Sequence, residues 1–195
     1  MEIYLIRHGQ TEGNFKRRYI GSTDDPLRAE GEKFVSEKRP GFVPEKLFVT
    51  PLKRTKQTAE LLFSGMEQIQ IDDLREMDFG EFENKSVSDL ENNEHYAQWL
   101  ETNCEGTCPG GESKEQFAKR CCIAFEKQIE ALVKDGVRSA AFVVHGGTIM
   151  AVMAGFASPH KDYFEWTADN CCGYHCRLNG DSFSKNKSME LVESL

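Results

Sequence analysis

Residues 140–144 of this chain read AAFVV, five apolar side chains in a row directly after Arg138 and Ser139. A strand with one wet face alternates apolar and polar positions, whereas an unbroken apolar run is buried on both faces, as in a parallel sheet covered by helices. The segment 138–144 is therefore expected as an inner strand, with EIYLI at 2–6 and KLFVT at 46–50 as its companions.

Helical spacing fills the stretches between and after these strands. In PLKRTKQTAELLFSG, residues 51–65, Leu52, Thr55, Ala59, Leu62 and Phe63 recur at helical intervals, Pro51 suits a first turn and Gly65 a stop. From Ser113 to Val133 the positions Phe117, Cys121, Phe125, Ile129, Leu132 and Val133 define one apolar face, and Ser113 with Gln116 makes a capping box. TIMAVMAG, after His145-Gly146-Gly147, is expected as another helix. Residues 79–112 are polar with scattered aromatics, and are expected as a small, partly helical insertion covering a site. CCGYHCRL and DSFSKNKSMELV flank Asn179-Gly180, a dipeptide that favours a tight hairpin, and are expected as the last two strands. Strands alternating with helices imply an α/β protein, a three-layer α/β/α sandwich with a mostly parallel sheet, in one domain spanning 1–195.

The remaining composition narrows the partners. No apolar run approaches the ~20 residues of a membrane-spanning helix. A net charge of −8 argues against broad contact with nucleic acid or an anionic membrane, since both need a basic face. Seven cysteines, an odd number, match a secreted disulfide framework poorly, and MEIYLIRHG contains no export leader, so a cytoplasmic setting is expected. Any anion site must gather its own cations.

Open α/β sheets bind ligands at the carboxyl ends of their strands. His8-Gly9 follows IYLI, and His145-Gly146-Gly147 follows AAFVV; Thr50-Pro51 leads into a helix carrying Lys53 and Arg54. Two strand-end histidines with Arg7 and Arg54 suit a tetrahedral oxyanion: glycine permits close backbone approach, arginine offers a planar fork, and a helix N-terminus adds unpaired N–H groups. Phosphate is the natural guest.

LIRHGQTEGN, TPLKRTKQTA, LREMDFGEFE, PGGES and VVHGGTI, in this order and spacing, resemble the histidine phosphatase superfamily, the phosphoglycerate-mutase-like proteins, over roughly residues 3–155. The resemblance implies that His8 is the phosphorylated nucleophile, that Arg7, Arg54 and His145 form the phosphate pocket with Asn14 as an added donor, and that Glu76 is the proton donor. From the residues alone, Asp78, Glu81 and Glu83 remain rivals to Glu76. No metal or cofactor is implied, and the partner is a small phosphorylated metabolite. The short chain and small insertion resemble compact phosphatases more than mutases, and EHYAQWL followed by PGGES resembles the α-ribazole phosphatases, which act on α-ribazole 5′-phosphate in assembly of the cobalamin nucleotide loop. The alternatives are a broad-specificity phosphatase, a cofactor-dependent phosphoglycerate mutase and a non-enzymatic phosphoryl-binding module.

DDPLRAEG departs from the family's D-x-P-L-T pattern, with Arg28 where a hydroxyl residue is usual; Ser22 and Thr23 in that loop are candidate substrate contacts. The other features have plain structural readings. His95, His160 and His175 lack motif context, Gln10 and Glu12 decorate a loop, and Lys53 and Lys56 solvate a helix face. CCGYHC lacks the paired spacing of a zinc site. Tyr96 and Trp99 serve either packing or a substrate's organic group.

Overall fold

The computed structural model describes residues 1–38 and 40–195, side chains at 181 and 182 excepted. Its strands are β1 (Glu2–Arg7), β2 (Lys46–Val49), β3 (Gln68–Gln70), β4 (Ser139–Val144), β5 (Ala157–Ser158), β6 (Gly173–Arg177) and β7 (Met189–Ser194). Its helices are α1 (Glu12–Phe15), α2 (Ala29–Glu37), α3 (Lys53–Leu62), α4 (Glu94–Glu101), α5 (Lys114–Lys134), α6 (Gly146–Phe156) and α7 (Gly180–Asn186). The strands form one sheet in the order β3-β2-β4-β1-β6-β7-β5. The pairs β3/β2, β2/β4, β4/β1 and β7/β5 are parallel, while β1/β6 and β6/β7 are antiparallel.

The absence of alternation in β4 follows from what covers it. Ala140, Phe142 and Val144 face a core shared with Phe125 and Ile129 of α5 and Ile149 and Val152 of α6. Ala141 and Val143 face the opposite core, with Ala59 of α3 and Phe63. Both sides of the strand are therefore apolar, and the chain is a three-layer α/β/α sandwich. The helix α2 packs on α3 outside this second core, through Leu27, Val35, Leu61 and Leu62.

The Ser113–Gln116 capping box opens α5 as expected. The helix after Pro51 begins later, at Lys53 with Leu52 as its cap residue, so Pro51 lies just outside it. Asn179-Gly180 does not form a hairpin: α7 intervenes, and β6 and β7 become antiparallel neighbours through it. The segment has a single large apolar residue, Phe183, which is buried against Phe156 at 5.7 Å between ring centroids. Burying one isolated side chain suits a helical turn better than a strand, and the Phe183 N–H bonds the Asn179 carbonyl at 2.8 Å to start it.

Residues 79–112 contain short turns at Gly80–Phe82 and Ser88–Leu90 and the helix α4. They pack through a small aromatic cluster in which Tyr96 is buried and its hydroxyl meets that of Tyr19 at 2.8 Å.

Phe142 is fully buried between Phe48 at 4.7 Å and Phe125 at 5.3 Å. Phe142→Ala is expected to lower unfolding free energy by about 3–5 kcal/mol, whereas Ile123→Ala, at a 58% exposed position, should stay within about 0.5 kcal/mol. Urea unfolding of the two variants checks this.

Candidate active site

The site follows from strand register. Arg7 of β1 pairs with Val144 of β4, so the next residue on each strand, His8 and His145, emerges at the same sheet edge. The His8 N–H bonds the Val144 carbonyl at 3.0 Å, and the two rings meet edge to face at 5.2 Å. Val49 of β2 pairs with Val143, so Thr50 comes opposite Val144, one residue before His145, and its hydroxyl reaches the His145 ring.

Hydrogen bonds fix both imidazole tautomers. The His8 Nδ1 lies 2.7 Å from the Gly9 carbonyl, an acceptor only, so Nδ1 carries the proton and Nε2 keeps a free lone pair. The Arg54 Nε donates to His145 Nδ1 at 3.3 Å, so the His145 proton lies on Nε2 and points to the Thr50 hydroxyl at 2.9 Å. Burial, then the charges of Arg54 and Arg7, hold the His8 pKa well below the ordinary imidazole value. His145 is depressed by burial and by the same arginines together with His8.

Arg54 is fully buried, and its guanidinium is held by backbone carbonyls, Thr23 at 2.8 Å, Gly21 at 3.0 Å and Ile20 at 3.4 Å. Arg7 donates from Nη1 to the Ala168 carbonyl at 2.8 Å, but its buried Nε meets no partner among the described residues. Such a donor is costly to leave unmade. It marks a place for an acceptor.

Glu76 lies opposite, at the N-terminus of α6. Its carboxylate accepts from the Met77 N–H at 2.9 Å and the Gly147 N–H at 3.0 Å. A Cβ on Gly147 would fall 2.2 Å from Glu76 Oε1, so only glycine admits the carboxylate there. Burial raises the Glu76 pKa despite these two donors and the nearby arginines. The other carboxylates of that stretch are engaged elsewhere. Glu83 accepts from the backbone of Gly21, Ser22 and Phe79 and from the Thr23 hydroxyl, Asp78 from Gly80, and exposed Glu81 pairs with His95.

The candidate contacts are placed unequally. Asn14, third residue of α1, accepts from the Thr11 N–H at 3.2 Å and the Asn170 amide at 3.3 Å, leaving its own N–H2 group as a donor. Thr23 reaches Arg54 only through its carbonyl, and Ser22 is exposed with its N–H on Glu83; neither hydroxyl bonds to the histidines or arginines of the cluster. Two further residues of the site, Thr50 and Asn170, were not among the expected ones. Asn170 bonds the His8 carbonyl at 3.0 Å from a polar stretch without motif, whereas Thr50 stands at a strand end, where position alone could have marked it.

CCGYHC is split by the strand. Cys171 donates its N–H to the carbonyls of Arg7 and His8, Cys176 is buried beside Met153, and His175 sits between Glu2 and Glu193. Among the described residues no group of three His, Cys, Asp or Glu side chains converges as a metal site. Arg28 pairs with Glu30 at 2.9 Å and lies over the Phe15 ring, without capping α2 by its side chain.

A cavity of about 380 Å³ opens from this cluster. Arg7, Glu76, Gly146 and Gly147 form its polar end, and Tyr19, Phe79, Trp99, Met150, Tyr163 and Phe164 supply most of an apolar wall. His8 is 4% exposed and both Arg54 and His145 are fully buried, so an incoming group meets only an edge of the His8 ring.

The family model of the histidine phosphatase superfamily, branch 1, matches residues 3–189. The chain belongs to that superfamily. Over 137 residues it is 33% identical to a Salmonella paratyphi C protein named "Probable phosphoglycerate mutase GpmB", covering 67% of this chain and 64% of the relative, so the match spans less than two thirds of that relative's length. Among solved structures, the α-ribazole phosphatase of Shigella flexneri superposes with a TM-score of 0.80 at 23% identity, over 98% of this chain and 95% of that one, a likeness of fold. The phosphoglycerate mutase of Thermus thermophilus gives 0.69 at 26% identity, over 100% and 98%. This member of the superfamily has no helix long and apolar enough to cross a membrane among its described residues.

The two depressed imidazoles make a prediction about acid. Their folded-state pKa values lie below the ordinary 6.5, so between those values and 6.5 the unfolded chain binds protons that the folded chain refuses. Stability is complete above about pH 6.5 and falls on acidification by about 1.4 kcal/mol per pH unit for each imidazole, while Glu76, raised by burial, works in the opposite sense. Urea titrations between pH 5 and 7.5 should show a slope that His145→Gln reduces by about 1.4 kcal/mol per unit.

Proposed function

We propose that this protein is a phosphomonoester hydrolase working through a phosphohistidine at His8, with α-ribazole 5′-phosphate as its substrate. The observation that carries the reading is the buried Nε of Arg7, without a partner among the described residues, beside a histidine whose tautomer leaves Nε2 unprotonated.

In the first step His8 Nε2 forms a bond to phosphorus as the ester P–O bond breaks, and Glu76 delivers its proton to the departing oxygen. Arg7, the Asn14 amide and the α6 N-terminus hold the equatorial oxygens, already oriented before charge develops, while Arg54 and His145, buried and bonded to each other, to backbone carbonyls and to Thr50, act on them through charge and by bracing the pocket rather than by direct contact. In the second step water attacks phosphorus, the N–P bond breaks, and Glu76 takes up the water's proton. The raised Glu76 pKa suits a carboxyl that must start protonated, and the depressed His8 pKa suits an imidazole that must start neutral.

The cavity supports the organic half of the substrate. A mutase must also hold the carboxylate of a small phosphorylated acid, whereas among the described residues the lining offers, beyond Arg7, one cation, Lys114, which already pairs with Glu105 and lies over the Tyr163 and Phe164 rings. Aromatic walls suit a planar base such as that of α-ribazole. Phe79, Trp99 and Cys104, from the 79–112 segment, lie along this wall, so that segment acts as the cover of a one-domain enzyme. The seven unpaired thiols support a cytoplasmic setting.

A kcat/KM at or above ~10⁴ M⁻¹s⁻¹ on α-ribazole 5′-phosphate, unaffected by EDTA and without mutase activity on 3-phosphoglycerate primed by 2,3-bisphosphoglycerate, is the expected result. Weak, uniform turnover of many phosphomonoesters would leave a broad-specificity phosphatase, and efficient 3-phosphoglycerate conversion a mutase. His8→Ala should abolish turnover and the acid-labile phosphoryl label while orthovanadate still binds; retained turnover would overturn the nucleophile, and a wild-type protein inert on every ester would leave a binding module. Glu76→Gln should lose about 10²–10⁴-fold on alkyl phosphates and far less on 4-nitrophenyl phosphate, whose leaving group needs no proton.

A further inference from the structure

Glu76 stands between the short turns at Asp72–Leu74 and Gly80–Phe82, outside any helix or strand, so its placement must come from contacts made by other elements. Arg120, on α5, forks onto Glu112 of the PGGES motif, with Nε to Oε1 at 2.9 Å and Nη2 to Oε2 at 2.7 Å. The same guanidinium donates to three carbonyls of the Glu76 segment, Asp73 at 2.8 Å, Arg75 at 3.2 Å and Glu76 itself at 3.4 Å. Glu112 completes the grip on the other side. Its Oε2 accepts the Asp78 N–H at 3.0 Å, and its own N–H donates to the Asp78 carbonyl at 2.9 Å.

The two loops are pressed backbone to backbone. A Cβ on Gly80 would lie 2.1 Å from the Pro109 carbonyl oxygen, and one on Gly111 would lie 2.3 Å from that of Asp78. Only glycine in both motifs allows the Glu81 N–H to reach the Pro109 carbonyl at 2.8 Å. The ion pair is mostly enclosed, with side chains 14% and 19% exposed, and bidentate, which is the geometry that makes an Arg–carboxylate contact directional.

We infer that Arg120 and Glu112 are positioning residues for Glu76, acting as one unit that holds its carboxyl at the α6 N-terminus where the leaving oxygen must receive a proton. This rests on the reading of Glu76 as the acid. Neither residue lines the cavity, so neither touches substrate. The unit gives the PGGES motif a task in catalysis: its Gly111 admits the second loop, its glutamate orients Arg120, and its serine caps the helix that carries Arg120.

Arg120→Lys, Glu112→Gln and the double variant separate this role from a merely structural one. Lysine keeps the charge but cannot fork, and glutamine keeps the size but loses the charge. Benzyl phosphate, with a poor leaving group, and 4-nitrophenyl phosphate, with a good one, are the probes. Each variant should lose roughly 10²-fold in kcat on benzyl phosphate and less than about a tenth of that on 4-nitrophenyl phosphate, with KM little changed. The basic limb of the benzyl phosphate pH profile should move, and the double variant should be no worse than the poorer single one, because the pair acts together. Thermal midpoints and orthovanadate binding establish that each variant is folded. Equal losses on both esters, additive losses in the double variant, or full activity in folded variants would overturn the positioning role. If the wild-type protein forms no phosphohistidine and hydrolyses neither ester, the enzyme reading fails instead.

Discussion

The parallel pairing of β1 with β4 is the constraint on which the site depends. Each strand ends in histidine followed by glycine, and one register places the two ends side by side. A slip by one residue would turn alternate side chains of β1 toward the wrong helical layer, exchanging Ile3 and Leu5 with Tyr4 and Ile6. Core packing therefore enforces the alignment of the two strand-end histidines, and the same apolar residues that stabilise the sheet set the distance between the imidazoles.

Electrostatics at that edge is deliberately incomplete. Arg7 and Arg54 are drawn out of water, and burial pulls both below the ordinary arginine pKa. Their hydrogen bonds go to carbonyls and an imidazole, while Glu76 is kept on the α6 N-terminus by backbone donors. Buried cations without a direct carboxylate partner are unfavourable in isolation, and an incoming dianion relieves them. Burial, with the same field added to it, holds both histidines well below the ordinary imidazole pKa.

The central strands, the α3, α5 and α6 helices and the two strand-end histidines were legible because each depends on local pattern: unbroken apolar runs, helical intervals, a capping box and His-Gly at a strand end. Asn179-Gly180 misled because its turn chemistry is overridden by the burial of Phe183, a long-range contact with Phe156. Thr50 and Asn170 are set by register and loop packing, which no spacing encodes. Choosing Glu76 over Asp78, Glu81 and Glu83 needed their hydrogen-bond partners, since all four share one short acidic stretch. Tyr96 and Trp99 both pack in the main core against Tyr19 and Phe82, and only the tertiary structure shows that Tyr96 bonds the Tyr19 hydroxyl while Trp99 also walls the cavity.

The open Nε of Arg7 has a consequence for how such a catalyst behaves among its own products. On the proposed function, a pocket in which a phosphoryl oxygen meets the buried Arg7 Nε would take the inorganic phosphate left behind as well. Free phosphate would then both compete with substrate and, as a ligand of the folded chain, stabilise it in proportion to its occupancy. Under that reading, phosphate-rich surroundings would make the protein most durable when it is least active, and depletion would make it faster and more fragile together.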